Sequence, residues 1–114
     1  MAMTFADLAE LRARGQRPTL RTFVTTDPAF ARRMTWVGCA AVLHEAGTPM
    51  PVELLDGLDV ILDVGSCERA GKVARLMAER DVRCSRLQAW CRCERTLRVD
   101  TPSCREPEAA WLAA

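Results

Sequence analysis

The segment from Leu58 to Arg80 constrains the fold of this chain more than any other. It opens with LDVILDV, an apolar run of strand length that is interrupted only by aspartates. A short Gly65-Ser66 turn follows the run. Apolar residues then recur at the spacing of one helical face, at Ala70, Val73, Ala74 and Met77. A buried strand that leads into a helix with one apolar face is the building unit of a parallel α/β sheet.

The rest of the chain repeats this alternation of helices and strands. Thr4 and Asp7 have the spacing of a capping box, which predicts a first helix over residues 4–14. Strands are predicted over residues 19–26, 37–43, 58–64 and 85–93, and residues 96–99 are a candidate edge strand. A second helix follows Asp27 and Pro28 and ends near Trp36, and a short helix over residues 52–56 is closed by Gly57. We therefore predict an α/β fold, a three-layer sandwich with a mostly parallel sheet of four to five strands.

The length of 114 residues predicts a single α/β domain over residues 1–114. Within it, residues 1–18 form an N-terminal helix and linker, and residues 100–114 form a tail with a short helix that begins at Pro107 and carries Trp111. The longest uncharged stretch, residues 35–44, is about half of the ~20 apolar residues that a membrane span needs. The amino terminus lacks the apolar core of a secretory signal, so we expect a cytoplasmic protein. All but one of the 16 Lys and Arg residues are Arg, a bias that favours a GC-rich bacterial or phage genome.

The net charge of +1 gives no bulk attraction to nucleic acid or to a membrane. The charge is nevertheless uneven along the chain. Residues 36–65 hold acids and no base, whereas residues 66–98 hold an excess of bases. Such segregation is typical of a charged binding face, or of surfaces that neutralise each other in the folded chain.

One segment resembles the third strand and the following helix of Toprim domains; it reads LDVILDVGSCERAGKVARLMAER. The order of elements over residues 20–90 also resembles that family. In that family, an Asp-x-Asp-x-Ala-Gly run at the end of the third strand binds magnesium. A glutamate after the first strand transfers protons. In this chain Ser66 and Glu68 stand at the two acidic positions, and Thr25-Thr26-Asp27 follows the first strand. The resemblance implies nucleic-acid binding or Mg²⁺-dependent phosphodiester chemistry, for which the candidate catalytic residues are Asp27, Asp63 and Glu68.

Three further patterns have a functional and a structural interpretation. Gly65 and Ser66 stand where a helix begins, a position that binds anions, although Ser66 also suits a plain helix cap. Four of the six cysteines could hold a structural zinc ion, although small buried side chains explain them equally; they are Cys84, Cys91, Cys93 and Cys104. His44, the single histidine, follows a buried strand and is either a general base or a surface residue.

The predicted strand over residues 85–93 carries an alternating set of arginine and aromatic side chains. Arg86, Trp90 and Arg92 share one face, and Arg95 follows just beyond. Trp and Arg are enriched at protein interfaces and also bind nucleic acids, although a helix or the tail could instead cover Trp90. Because the acidic set is incomplete, we expect a non-catalytic accessory protein that binds another protein, with no cofactor. Nucleic acid is the alternative partner, and the edge strand at residues 96–99 would permit a homodimer.

Overall fold

The structure of the protein is a computed structural model that describes residues 2–92 and 95–98. It contains a six-stranded sheet with the spatial order β1-β3-β2-β4-β5-β6. The strands are β1 Met3–Thr4, β2 Thr22–Thr25, β3 Ala40–Leu43, β4 Asp59–Asp63, β5 Arg86–Cys91 and β6 Thr96–Arg98. The helices are α1 Phe5–Ala13, α2 Pro28–Trp36 and α3 Cys67–Glu79, with a 3-10 turn at Val52–Leu55. All strand pairs are parallel except β5 with β6, which is antiparallel.

The mostly parallel α/β fold predicted from the sequence is confirmed, but the strand count of four to five was too low. The strand that sequence reasoning missed is β1, which pairs Met3 with Val42 and Thr4 with Leu43 at the edge of β3. It has only two residues and runs directly into α1, so it carries no alternating pattern of its own. The predicted tail over residues 100–114, with its helix from Pro107, lies outside the described residues.

Two apolar clusters lie on opposite faces of the sheet and make the three layers. The larger cluster packs Leu8 of α1 and Met77 of α3 against inward residues of the strands such as Val24. The smaller cluster joins Phe30 of α2 to Phe23 and Ile61, with Trp90 and Leu97 packed against it. Because neighbouring strand residues point to opposite faces, adjacent residues of β2 contribute to different clusters.

The chain reverses its winding direction between β2 and β4. The helix after β2 packs in the smaller cluster, whereas the helix after β4 packs in the larger one, on the other face. Since β2 and β4 are neighbours in the sheet, the loops that follow them separate at their carboxyl ends. Open α/β sheets bind ligands in the crevice that forms at such a point. None of the helices in the described ranges is both long enough and apolar enough to cross a bilayer.

Candidate functional site

A buried carboxylate marks the carboxyl edge of the sheet. Asp63 is the last residue of β4 and its side chain is only 1% exposed. The Arg92 guanidinium holds it with two hydrogen bonds, Nε to Oδ1 at 2.8 Å and Nη2 to Oδ2 at 2.6 Å. The Thr25 hydroxyl donates a third bond to Oδ2 at 2.7 Å. Three donors therefore compensate the burial of this charge, as burial of a carboxylate requires.

Asp27 joins the same cluster from the other side of the crevice. Its Oδ1 accepts from the backbone N–H of Ala29 at 3.0 Å and caps α2, and its Oδ2 lies 3.3 Å from Arg92 Nη2. Burial acts to raise the pKa of Asp27, but the N–H groups of Phe30 and Ala29 together with Arg92 outweigh it and hold the pKa below its ordinary value. The sequence predicted this N-cap, and the structure adds that Arg92 bridges both aspartates.

Arg92 is bound by both aspartates and packs beside an aromatic ring, although its side chain is 44% exposed. Its hydrogen bond to Asp63 raises the pKa of the guanidinium further above its ordinary value, against the opposing effect of burial. The guanidinium carbon also lies 5.4 Å from the ring centre of Phe30, within the range of a cation–π contact. Arg92 is therefore a structural cation that ties β5 to the ends of β2 and β4.

The three acids proposed for Mg²⁺ do not form an open site in this structure. Arg92 occupies the oxygens of Asp63 and contacts Asp27, and a hard cation needs those same oxygens. The third acid, Glu68, lies in the first turn of α3 and its nearest cation is Lys72, with 3.9 Å between Oε1 and Nζ. Across residues 2–92 and 95–98, no three His, Cys, Asp or Glu side chains gather closely enough to hold a metal ion.

Gly65 and Ser66, the predicted anion site, form the cap of α3. The Ser66 hydroxyl oxygen accepts from the backbone N–H of Arg69 at 3.1 Å, so this oxygen serves the helix end. Gly65 has φ of +106°, a backbone conformation that side chains disfavour. The Arg69 guanidinium folds over it, since a Cβ on Gly65 would stand 3.2 Å from Nη1. The anion-binding role of this turn stays a prediction.

Two of the four cysteines predicted as zinc ligands lie in the described part of the chain, and they are far apart along β5. Cys84 lies just before β5, and Cys91 is its last residue. The six residues of β5 alone span roughly 17 Å or more, whereas ~2.3 Å zinc–sulfur bonds hold two ligands close together. The Cys84 thiol donates to the Leu55 carbonyl at 3.5 Å. Burial, with Asp56 and Asp59 nearby, raises its pKa to about 11. Cys93 and Cys104 lie outside the described residues.

The residues of the predicted binding strand, Arg86, Trp90, Arg92 and Arg95, differ in the contacts that they make within the fold. Trp90 is partly buried and stacks on Phe30, with ring centres 6.5 Å apart. Arg92 is bound to Asp63 and Asp27, as described above. Arg86 and Arg95 are exposed, and Arg95 has a positive φ of 52° beside β6. Trp90 and Arg92 therefore make contacts within the fold, although the Arg92 side chain is still 44% exposed, and Arg86 and Arg95 are left for solvent or a partner.

The structure exposes a different aromatic residue that sequence reasoning did not select. Trp36, at the end of α2, is 80% exposed, and the next residue Val37 is 68% exposed. Leu20 is 56% exposed and lies at the same amino edge of the sheet, since the first paired residues of β2 and β3 are Thr22 and Ala40.

The outer face of α2 continues this apolar surface with arginines. A surface cavity of about 350 Å³ is lined by Ala29, Arg32, Arg33 and Trp36. We name Leu20, Arg32, Arg33, Trp36 and Val37 the Trp36 patch. A signal for it existed in the sequence, because Trp36 falls about 200° around the helix from the inward Met34.

A second feature lies at the carboxyl edge, beside the Asp63 cluster. A cleft of about 490 Å³ opens between the loop after β3 and helix α3. Its polar lining residues are Thr26, His44, Thr48, Arg69 and Lys72. His44, predicted as either a base or a surface residue, lies here with Nε2 3.2 Å from the Thr48 hydroxyl.

Comparison with protein-family models, with curated proteins and with solved structures finds no match to this chain.

Proposed function

We propose that this domain is a non-catalytic protein-interaction module that binds its partner through the Trp36 patch. The observation that carries the proposal is the 80% exposure of Trp36 at the end of a well-capped helix. A tryptophan can bury about 150 Å² or more, which at ~25 cal/mol per Å² corresponds to about 4 kcal/mol when a partner covers it. Contiguous exposed apolar residues with a polar rim are typical of interaction surfaces.

The charge around the patch specifies the chemistry of the partner. Residues 28–38 contain two arginines, Arg32 and Arg33, and no acid. Both side chains are exposed, and Arg33 also lies 5.9 Å from the ring centre of Phe30. Trp and Arg dominate the energetics of protein interfaces. The proposed partner is therefore a protein surface with an apolar pocket for Trp36 and carboxylates that meet the two arginines.

The Asp63 cluster supports a binding role over catalysis. Its two aspartates are bridged by Arg92, which neutralises the charge that a divalent cation would require. Of the arginines that suggested an interaction surface in the sequence, Arg86 and Arg95 are exposed. We place the module in the reducing cytoplasm of a bacterial or phage-infected cell, as the sequence predicts.

The experiment is affinity capture with quantitative mass spectrometry from cells that express the protein natively. Wild type is compared with Trp36→Ala, with Arg32→Glu/Arg33→Glu, and with the control Arg75→Glu on the exposed surface of α3. We expect one protein with an acidic surface to survive nuclease treatment and to be lost from both patch variants but not from the control. Recovery that is equal across all variants, or that disappears with nuclease, would contradict the proposal.

A Toprim-like, Mg²⁺-dependent nucleic-acid domain is the second candidate. The observation in its favour is that Asp27 and Asp63 lie at the carboxyl ends of neighbouring strands and share one cation. Mg²⁺ would have to displace Arg92 from these oxygens. Saturable Mg²⁺ binding in calorimetry that is lost in Asp63→Asn would favour this candidate, whereas an absence of binding at millimolar Mg²⁺ supports the non-catalytic module.

A further inference from the structure

The cleft beside α3 has the position and size of a ligand site. It is bordered by Thr26 after β2, His44 after β3 and Val64 after β4. These residues follow three adjacent strands, at the crevice where the winding direction reverses. Its volume of about 490 Å³ lies within the range of ~300 to 1,000 Å³ that small-molecule sites occupy.

The lining of the cleft combines apolar and cationic residues. The apolar residues are Met50, Val64, Val73 and Leu76. The lining also includes Arg69, Lys72, Thr26 and Thr48, and no Asp or Glu of the described ranges lines the cleft. Such a lining suits a ligand that has an apolar body and an anionic group.

The two cations are available to a ligand. Within residues 2–92 and 95–98, Arg69 makes no ion pair, and its side chain lies over the Gly65 backbone. Lys72 lies 3.9 Å from Glu68, but both side chains are more than half exposed, at 74% and 58%. Exposed pairs of this kind contribute little and exchange readily with another anion.

We propose that this cleft binds a small organic phosphate, with its phosphate against Arg69 and Lys72 and its apolar body against Val73 and Leu76. Two cations with no lining acid match the charge of a phosphate dianion better than that of a single carboxylate. Thr48 also lines the cleft, and its hydroxyl lies 3.2 Å from His44 Nε2 and donates to the Glu45 carbonyl at 2.7 Å. This site is independent of the proposed protein interaction, because the Trp36 patch lies at the opposite, amino edge of the sheet.

The chain provides two residue-specific reporters in this one cleft. His44 is the single histidine and Lys72 the single lysine of the sequence, so each gives one side-chain NMR signal set after ring labelling or reductive methylation. The probe is phenyl phosphate, titrated beside inorganic phosphate and phenol as its separate halves. We expect both reporters to shift with the same saturable Kd, at least about ten-fold tighter for phenyl phosphate than for either half.

Variants then test whether binding uses the named cations. Arg69→Gln and Lys72→Gln should each weaken binding about ten-fold, a loss in the range of one charge-assisted hydrogen bond, with His44 as the reporter. Arg75→Gln, an equally exposed charge on the same helix, should leave the Kd unchanged. Equal weakening by all three variants, or a failure of His44 and Lys72 to shift together, would overturn the site.

Discussion

Replacement of Arg92 by leucine tests the structural role of the Asp63 cluster. The substitution removes two of the three hydrogen bonds that Asp63 accepts and leaves only the Thr25 hydroxyl, 2.7 Å from Oδ2. The Asp63 side chain is 1% exposed, so water cannot readily replace the lost donors. The folded protein must then hold an uncompensated buried carboxylate or protonate it, and either outcome lowers the free energy of unfolding.

The size of the expected loss in unfolding free energy depends on how buried Asp63 and Arg92 each are. Removal of one partner of a fully buried pair costs about 3 to 5 kcal/mol. Because the Arg92 side chain is itself 44% exposed, solvent screening reduces this value, and we expect a loss of about 3 kcal/mol. At ~4 °C per kcal/mol for a domain of this size, the Tm should fall by about 12 °C.

A double-mutant cycle separates this effect from the simple loss of a side chain. Urea unfolding is followed by circular dichroism for Arg92→Leu, Asp63→Asn and the double variant, with Arg75→Leu as the exposed control. We expect the double variant to be at least about 1 kcal/mol more stable than the sum of the single losses predicts, because it removes the orphaned charge. Additivity within ~0.5 kcal/mol, or a control as costly as Arg92→Leu, would refute the reasoning.

Three further predictions concern caps and thiols. Ser66→Ala removes the oxygen that accepts from the backbone N–H of Arg69, so the free energy of unfolding, measured by urea denaturation, should fall by about 1 kcal/mol. An unchanged urea midpoint would refute the role of Ser66 as the helix cap. The folded-state pKa of Asp27 lies below its ordinary 3.8, so its charge stabilises the fold above that pH and the benefit is lost as the pH falls through the folded-state pKa. Asp27→Asn lacks this carboxylate, so its urea midpoint should decrease less than that of wild type as the pH falls below about 4. Parallel plots of urea midpoint against pH for the two proteins would contradict this prediction. Burial raises the pKa of Cys84 to about 11, so at pH 8 its thiol should react with an aromatic disulfide far more slowly in the native protein than in urea. Peptide mass spectrometry identifies the modified cysteine, and equal rates in the two conditions would show that Cys84 is exposed.

Local patterns predicted most of the elements because each is encoded within a few neighbouring residues. The Thr4–Asp7 capping box forms as predicted, with Asp7 N–H donating to the Thr4 hydroxyl oxygen at 3.1 Å. The strand before Gly65 and the helix after Ser66 lie within one or two residues of their predicted bounds. The start of β3 differs by three residues, because α2 extends to Trp36 and Gly38 then turns the chain at a φ of +87°.

The site was harder to predict because it depends on contacts between distant parts of the chain. Asp27, Asp63 and Arg92 were each selected from the sequence, but for separate roles, two as metal ligands and one as a surface residue. Their convergence follows from the order of the strands, which places β5 beside β4 and β4 beside β2. The sequence leaves open whether Trp90 faces a partner or is covered by a helix, and the stacking of Phe30 of α2 on Trp90 decides for the helix.

The most direct test of the proposed interaction is site-specific photo-crosslinking from position 36. A photoreactive phenylalanine analogue, which keeps an aromatic ring for the partner's pocket, replaces Trp36 in one protein and Arg75 in a second, and both are irradiated in cells that express the chain natively. The proposed function predicts one crosslinked partner protein from position 36 that is absent from position 75 and that disappears when Arg32 and Arg33 are changed to glutamate. Equal labelling from both positions, a product formed only with a second copy of this chain, or no product at position 36 would contradict it.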